Sequence, residues 1–237
     1  MSEPVVDDTI VAKARKYNRA AIETIFVENY QAISRIAIGL SGRVDVGMGV
    51  VRFAIKQALR ALPAWKDETA PQRWFLHHTI LLVRRATKHQ PSRNNDTLIS
   101  DPRTAPPEYI AFIRALRQLP MQQRESFILH HGERLNERYS AVAMDCSVIA
   151  AANHLNAANG TLRPIAGDQF DAFIKTIHQT YRSLGPAEAM TLPKIRRAIV
   201  GYVWPRRIAR WTGWVLILGF IVAISYAVKK IWPTLEF

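Results

Sequence analysis

The sequence predicts an all-α protein: two small helical domains joined by a linker, the second carrying a helix-turn-helix, and one C-terminal transmembrane helix. Three observations predict it. Apolar residues recur at three- and four-residue steps through most of the chain, the spacing of helices with one buried face. No period-two run of convincing length occurs. One uncharged apolar stretch lies near the C-terminus with cations on either side.

The 237 residues, 49% of them hydrophobic, suffice for one or two ordinary cores and an appendage. A formal charge of +13 points to nucleic acid or anionic lipid as partners, or to solubility alone, and says nothing about fold. With Cys146 alone there is no internal disulfide framework, and a reducing compartment is expected. The opening MSEPVVDDT has no apolar h-region, so residues 1–19 are expected to be a short disordered tail rather than a signal peptide.

The first domain spans residues 20–89. From Ala20 to Leu40, Ile22, Ile25, Phe26, Ile33, Ile36, Ala37 and Leu40 form one stripe. Ser41-Gly42 stops that helix, and Gly47 and Gly49 are expected to keep the following residues loose. A second helix runs from Val50 to Leu62, where Pro63 ends it. A third, Gln72 to Lys88, ends in Arg84, Arg85 and Lys88. These cations suit the negative end of a helix dipole, and equally a phosphate-contacting patch.

Residues 90–107 are polar, proline-containing and aperiodic, and read as the linker. The second domain, 108–164, opens with a stripe of Tyr109, Phe112, Ile113, Leu116 and Leu119. Leu119-Pro120 then starts a short helix, a polar break follows, and two more helical segments meet at Asp145-Cys146-Ser147. That layout is a helix-turn-helix, whose last helix can enter a DNA groove.

Residues 165–207 carry amphipathic and basic helices: Phe170, Phe173, Ile174, Ile177, Tyr181 and Leu184 form the amphipathic stripe, and the basic stretch Pro193–Arg210, running just past that region, holds Lys194, Arg196, Arg197, Arg206, Arg207 and Arg210. Each such cation is worth about 1 kcal/mol at an anionic bilayer. The uncharged Trp211–Val228 would make roughly 27 Å of helix against a hydrocarbon core of about 30 Å. Trp204, Trp211, Trp214, Tyr226 and Trp232 supply interfacial aromatics, and Lys229 and Lys230 can snorkel. A single span over 208–232 is expected, with the N-terminus cytoplasmic and the bacterial inner membrane as location.

Catalytic signals are missing. His77-His78 and His130-His131 are adjacent pairs, about 100° apart on a helix, without the i, i+4 spacing of a zinc site. Phosphate loops, nucleophile elbows and paired acids on one helix face are absent, and Cys146 has no activating neighbour. The expectation is a non-enzyme with no metal and no cofactor.

Residues 20–163 resemble the extracytoplasmic-function type of bacterial RNA polymerase sigma factor. Leu119-Pro120, Arg124-Glu125, Phe127 and Leu129 look like that family's LPxxxRExFxL pattern, and Ala141, Met144, Cys146, Ser147, Leu155, Ala158, Leu162 and Arg163 follow without a gap. VVRFAIKQALRALPAW looks like its core-polymerase-binding helix, and Trp74-Phe75-Leu76 like the start of its promoter-contacting helix. The resemblance implies Val51, Ile55, Leu59, Arg60 and Leu62 at polymerase, and Arg73, Trp74, Arg84, Arg85, Lys88, Asn153, His154 and Asn156 at DNA. Expected partners are core RNA polymerase, promoter DNA and inner membrane lipids, with an anti-sigma factor or a protease as regulator.

The chain departs from the family pattern in three places. Ser147–Leu162 has no Lys or Arg, so this recognition helix alone should bind DNA weakly. Gly47-Met48-Gly49 stands where an acidic pair is usual, and Ile80, Leu81 and Leu82 replace polar residues in mid-helix. Two functions follow: a membrane-tethered sigma-like regulator of transcription initiation, or a sigma-fold scaffold without promoter recognition.

Overall fold

The computed structural model describes residues 8–66, 70–88, 96–186 and 188–231. All regular structure among them is helical, as expected.

In the first module, α1 (Asp8–Arg15) packs on α2 (Arg19–Ser41), which meets α3 (Val44–Ala61) and α4 (Pro71–Thr87). Asn18 caps α2 by accepting from the Ala21 N–H, and Gly42 ends it in the left-handed region at φ 68°. Residues 8–15, expected in a disordered tail, instead form α1, because Val11 and Ala14 bury fully against the core. The glycines expected to loosen residues 43–49 lie inside α3. A Cβ on Gly47 would come within 2.7 Å of the Ile38 backbone, so this glycine permits a close crossing of α2 and α3.

The end of the linker is seated. Asp96 accepts from Arg117 Nε and Nη2 at 2.5 and 2.9 Å, Thr97 N–H donates to the Gly42 carbonyl, and Leu98 and Ile99 are buried. The second module follows as α5 (Pro107–Gln118), α6 (Met121–Phe127), a π-helical turn (Ile128–Gly132), α7 (Glu137–Met144), α8 (Val148–Ala166) and α9 (Phe170–Ser183). Phe112 anchors its core, with Phe127, Phe170 and Phe173 at 5.4–6.2 Å between ring centroids. Buried apolar residues of both modules and of the C-terminal segment form one continuous cluster.

α10 (Glu188–Ile231) is one long helix. Its first turns pack on α2 and α3, burying Ile195 and Ile199. Trp214–Leu218, Phe220–Val222, Ile224 and Tyr226 are exposed. Among the described residues, no helix is long and apolar enough to cross a membrane. The expected span over 208–232 and the inner-membrane placement are corrected accordingly. The side chains of Trp204, Arg206, Arg207, Arg210, Trp211, Lys229, Lys230 and Trp232 lie outside the described residues.

Candidate promoter-DNA and polymerase interface

On α3 the residues expected at polymerase divide between two faces. Val51, Ile55, Leu59 and Leu62 point into the core, and Arg60 is exposed. The outward face is Arg52, Phe53, Lys56 and Arg60, with Phe53 47% exposed. An apolar stripe belongs to the core of its own domain, so the residues free to meet a partner lie opposite it. Arg52, Phe53 and Lys56, on that outward face, were not singled out in the sequence. The signal that could have found them was a lone aromatic on an otherwise basic helix face.

α4 opens on an aromatic group. Trp74 stacks on His78 with centroids 3.8 Å apart and planes 15° from parallel, and Trp65 and Phe75 lie 5.4 and 5.3 Å from Trp74. The His78 Nδ1–H donates to the Trp74 carbonyl at 3.0 Å, and burial holds the His78 imidazole below its ordinary pKa. Trp74 is half-buried and Arg73 is exposed. Ile80 and Leu82, in mid-helix, are core residues, which explains why polar groups are missing there.

The cation trio at the end of α4 does not act as one patch. Arg85 and Lys88 are exposed, whereas Arg84 turns into the seam between modules. Arg84 Nε and Nη2 donate to Glu125 Oε1 and Oε2 at 2.8 and 2.6 Å, and Nη2 also reaches the Met144 carbonyl at 3.1 Å. The Glu125 carboxylate holds the Arg84 guanidinium above its ordinary pKa. Glu125 of the LPxxxRExFxL pattern thus serves as an inter-module ligand. Its neighbour Arg124 donates to the Arg117 carbonyl at 2.9 Å.

α7 and α8 meet at the turn Asp145-Cys146-Ser147. α7 is capped by Asn136, which accepts from Tyr139 N–H, and ends on Asp145 at φ 58°, a conformation that Asp tolerates better than most residues. Ser147 then caps α8 by accepting from Ala150 N–H at 3.1 Å. Ala151, Leu155, Ala158 and Leu162 face inward. Asn153 and Asn156 are exposed and His154 is half-buried. The first turn of α8 presents Val148 and Ile149, the latter 75% exposed, where a groove-binding helix needs phosphate-contacting groups. Arg163, at the far end, lies over the Phe170 ring at 4.5 Å.

No protein-family model and no curated protein match this chain. Among solved structures, the chain is similar to one described as the structure of CnrH in complex with the cytosolic domain of CnrY. The TM-score is 0.55 at 17% identity, over 70% of this chain and 97% of that one. CnrH is an extracytoplasmic-function sigma factor, and at this identity the likeness is one of fold. Over the matched 70% of its length the chain therefore has a sigma-like fold.

Proposed function

We propose that this chain is a sigma-like regulator of transcription initiation that binds core RNA polymerase and promoter DNA, and that it acts by binding rather than by catalysis. The observation that carries the reading is the shared fold with CnrH over nearly the whole of that chain. In this reading Arg52, Phe53, Lys56 and Arg60 of α3 meet polymerase. Arg73, Trp74, Arg85 and Lys88 of α4 supply the main DNA contacts, with Asn153, His154 and Asn156 of α8 adding base-edge hydrogen bonds. CnrH is described with the cytosolic domain of CnrY bound, and a partner of the anti-sigma kind fits this chain on the same ground. Run-off transcription with the full chain, core polymerase and fragmented genomic DNA tests the proposal. Promoter-dependent transcripts are expected, and a lack of transcripts at saturating polymerase contradicts it.

A second reading, a sigma-fold scaffold without promoter recognition, is favoured by two features of the DNA face. Arg84 is taken up by Glu125, and α8 offers no cation from Val148 to Leu162. Affinity for duplex DNA that does not change with salt separates this reading from the first, because phosphate contacts impose a steep salt dependence.

A further inference from the structure

α9, the last helix of the second module, reaches across to α2, and the first turns of α10 pack on α2 and α3 of the first module. The ring of Tyr181, on α9, is fully buried between Gly39 of α2 and Gly132 of the π-helical turn. A Cβ on Gly39 would lie 2.5 Å from Tyr181 Cε2, and one on Gly132 would lie 2.9 Å from Cδ2. One glycine from each module therefore makes room for the same ring. Beside it, Arg35 of α2 donates to both oxygens of Glu133 at 3.0 and 2.5 Å, with the side chains only 13% and 10% exposed.

Further bonds fasten the segment. His178 Nδ1–H donates to the Gly132 carbonyl at 3.0 Å, and Thr180 Oγ1 lies 3.1 Å from Ser100 Oγ. Gln31 Nε2 donates to the Pro186 carbonyl at 3.0 Å and to Thr191 Oγ1 at 3.3 Å, and Arg196 Nε donates to Glu23 Oε2 at 3.3 Å. The Arg84–Glu125 pair also bridges the two modules, from α4 to α6.

We propose that α9 and the first turns of α10 form an intramolecular latch that holds the two helical modules closed against each other. Withdrawal of Tyr181 from its seat between Gly39 and Gly132 lets the modules separate. The consequence for function rests on the sigma-like reading: separation frees Arg84 from Glu125 and uncovers the side of α4 that packs on α7.

The test uses the full chain with Cys146→Ser, carrying spin labels at Glu28→Cys on α2 and Glu137→Cys on α7, two exposed positions. Pulsed electron paramagnetic resonance should give one short distance. Glu133→Lys and, separately, Gly39→Ala should each add a longer population, and Arg35→Glu with Glu133→Lys should restore the single distance. Gly39→Ala is the sharper probe. In mid-helix, Ala is favoured over Gly, so Tyr181 is the contact that turns the substitution unfavourable.

An unchanged single distance in both variants overturns the latch, as does loss of all helical signal in Gly39→Ala, which would make the segment an inseparable part of one core. Duplex DNA binding is measured on the same samples. With the parent open at most one-tenth of the time, as a single short distance implies, opening should tighten binding at least about tenfold. Opening without any gain in binding supports the latch and contradicts the sigma-like reading instead.

Discussion

Replacing Arg84 by Ala distinguishes a structural cation from a DNA-contacting one. In the structure, Glu125 is 3% exposed and Arg84 23% exposed, and the pair is bidentate at 2.8 and 2.6 Å. Losing one member of a buried pair strands the other charge and costs about 3–5 kcal/mol. Arg84 keeps some contact with water, so about 3 kcal/mol is expected for Arg84→Ala, including the lost bond to the Met144 carbonyl. A chain of this size melts about 2–4 °C lower per kcal/mol, giving a fall of about 6–12 °C. Glu125→Gln should cost less, about 1–2 kcal/mol, because the Arg84 it leaves can turn outward. Arg84→Met with Glu125→Leu should lie within about 1 kcal/mol of the parent. Urea unfolding followed by circular dichroism measures all three, and adding Arg84→Met and Glu125→Leu singly completes a cycle that gives the coupling. The reasoning is refuted if Arg84→Ala costs under about 1 kcal/mol while the salt dependence of DNA binding drops by about one phosphate contact.

Other expectations concern pH and the two faces of α3. Burial pushes the His131 imidazole down to about 4, with Asn159 Oδ1 3.1 Å from its Nε2. The unfolded chain thus binds the extra proton first, and stability should fall as pH drops from about 6.5 to about 4, by roughly 3 kcal/mol at most. His131→Gln should flatten that slope in urea titrations across the window. Ile55→Ala should cost about 2–5 kcal/mol, and Arg52→Ala with Lys56→Ala under about 1 kcal/mol while weakening capture of core polymerase. Gly47→Ala should destabilise by about 1–3 kcal/mol despite the better helix propensity of Ala, because its Cβ meets the Ile38 backbone. An unchanged melting temperature would contradict that close crossing.

The helices were legible in the sequence because their stripes are the core itself: Ile22, Ile25, Phe26 and Ile33 are all buried on α2. The helix-turn-helix was legible because its signals are local, a Ser147 cap and an Asp145 turn. The site was harder to read. An amphipathic stripe marks the face that a helix hides, so Val51, Ile55, Leu59 and Leu62 were chosen where Arg52, Phe53 and Lys56 are exposed. Arg84 looked equivalent to Arg85 and Lys88 because its partner, Glu125, is 41 residues away. Likewise, nothing local to Gly39, Gly132 or Tyr181 shows that they meet, since each belongs to a different element.

The most direct test of the sigma-like reading is titration of labelled full-length chain with core RNA polymerase. The account predicts saturable binding that weakens at least tenfold when Arg52, Lys56 and Arg60 are all changed to Glu, with the melting temperature within a few degrees of the parent. Absence of binding, or equal binding by the triple variant, contradicts it.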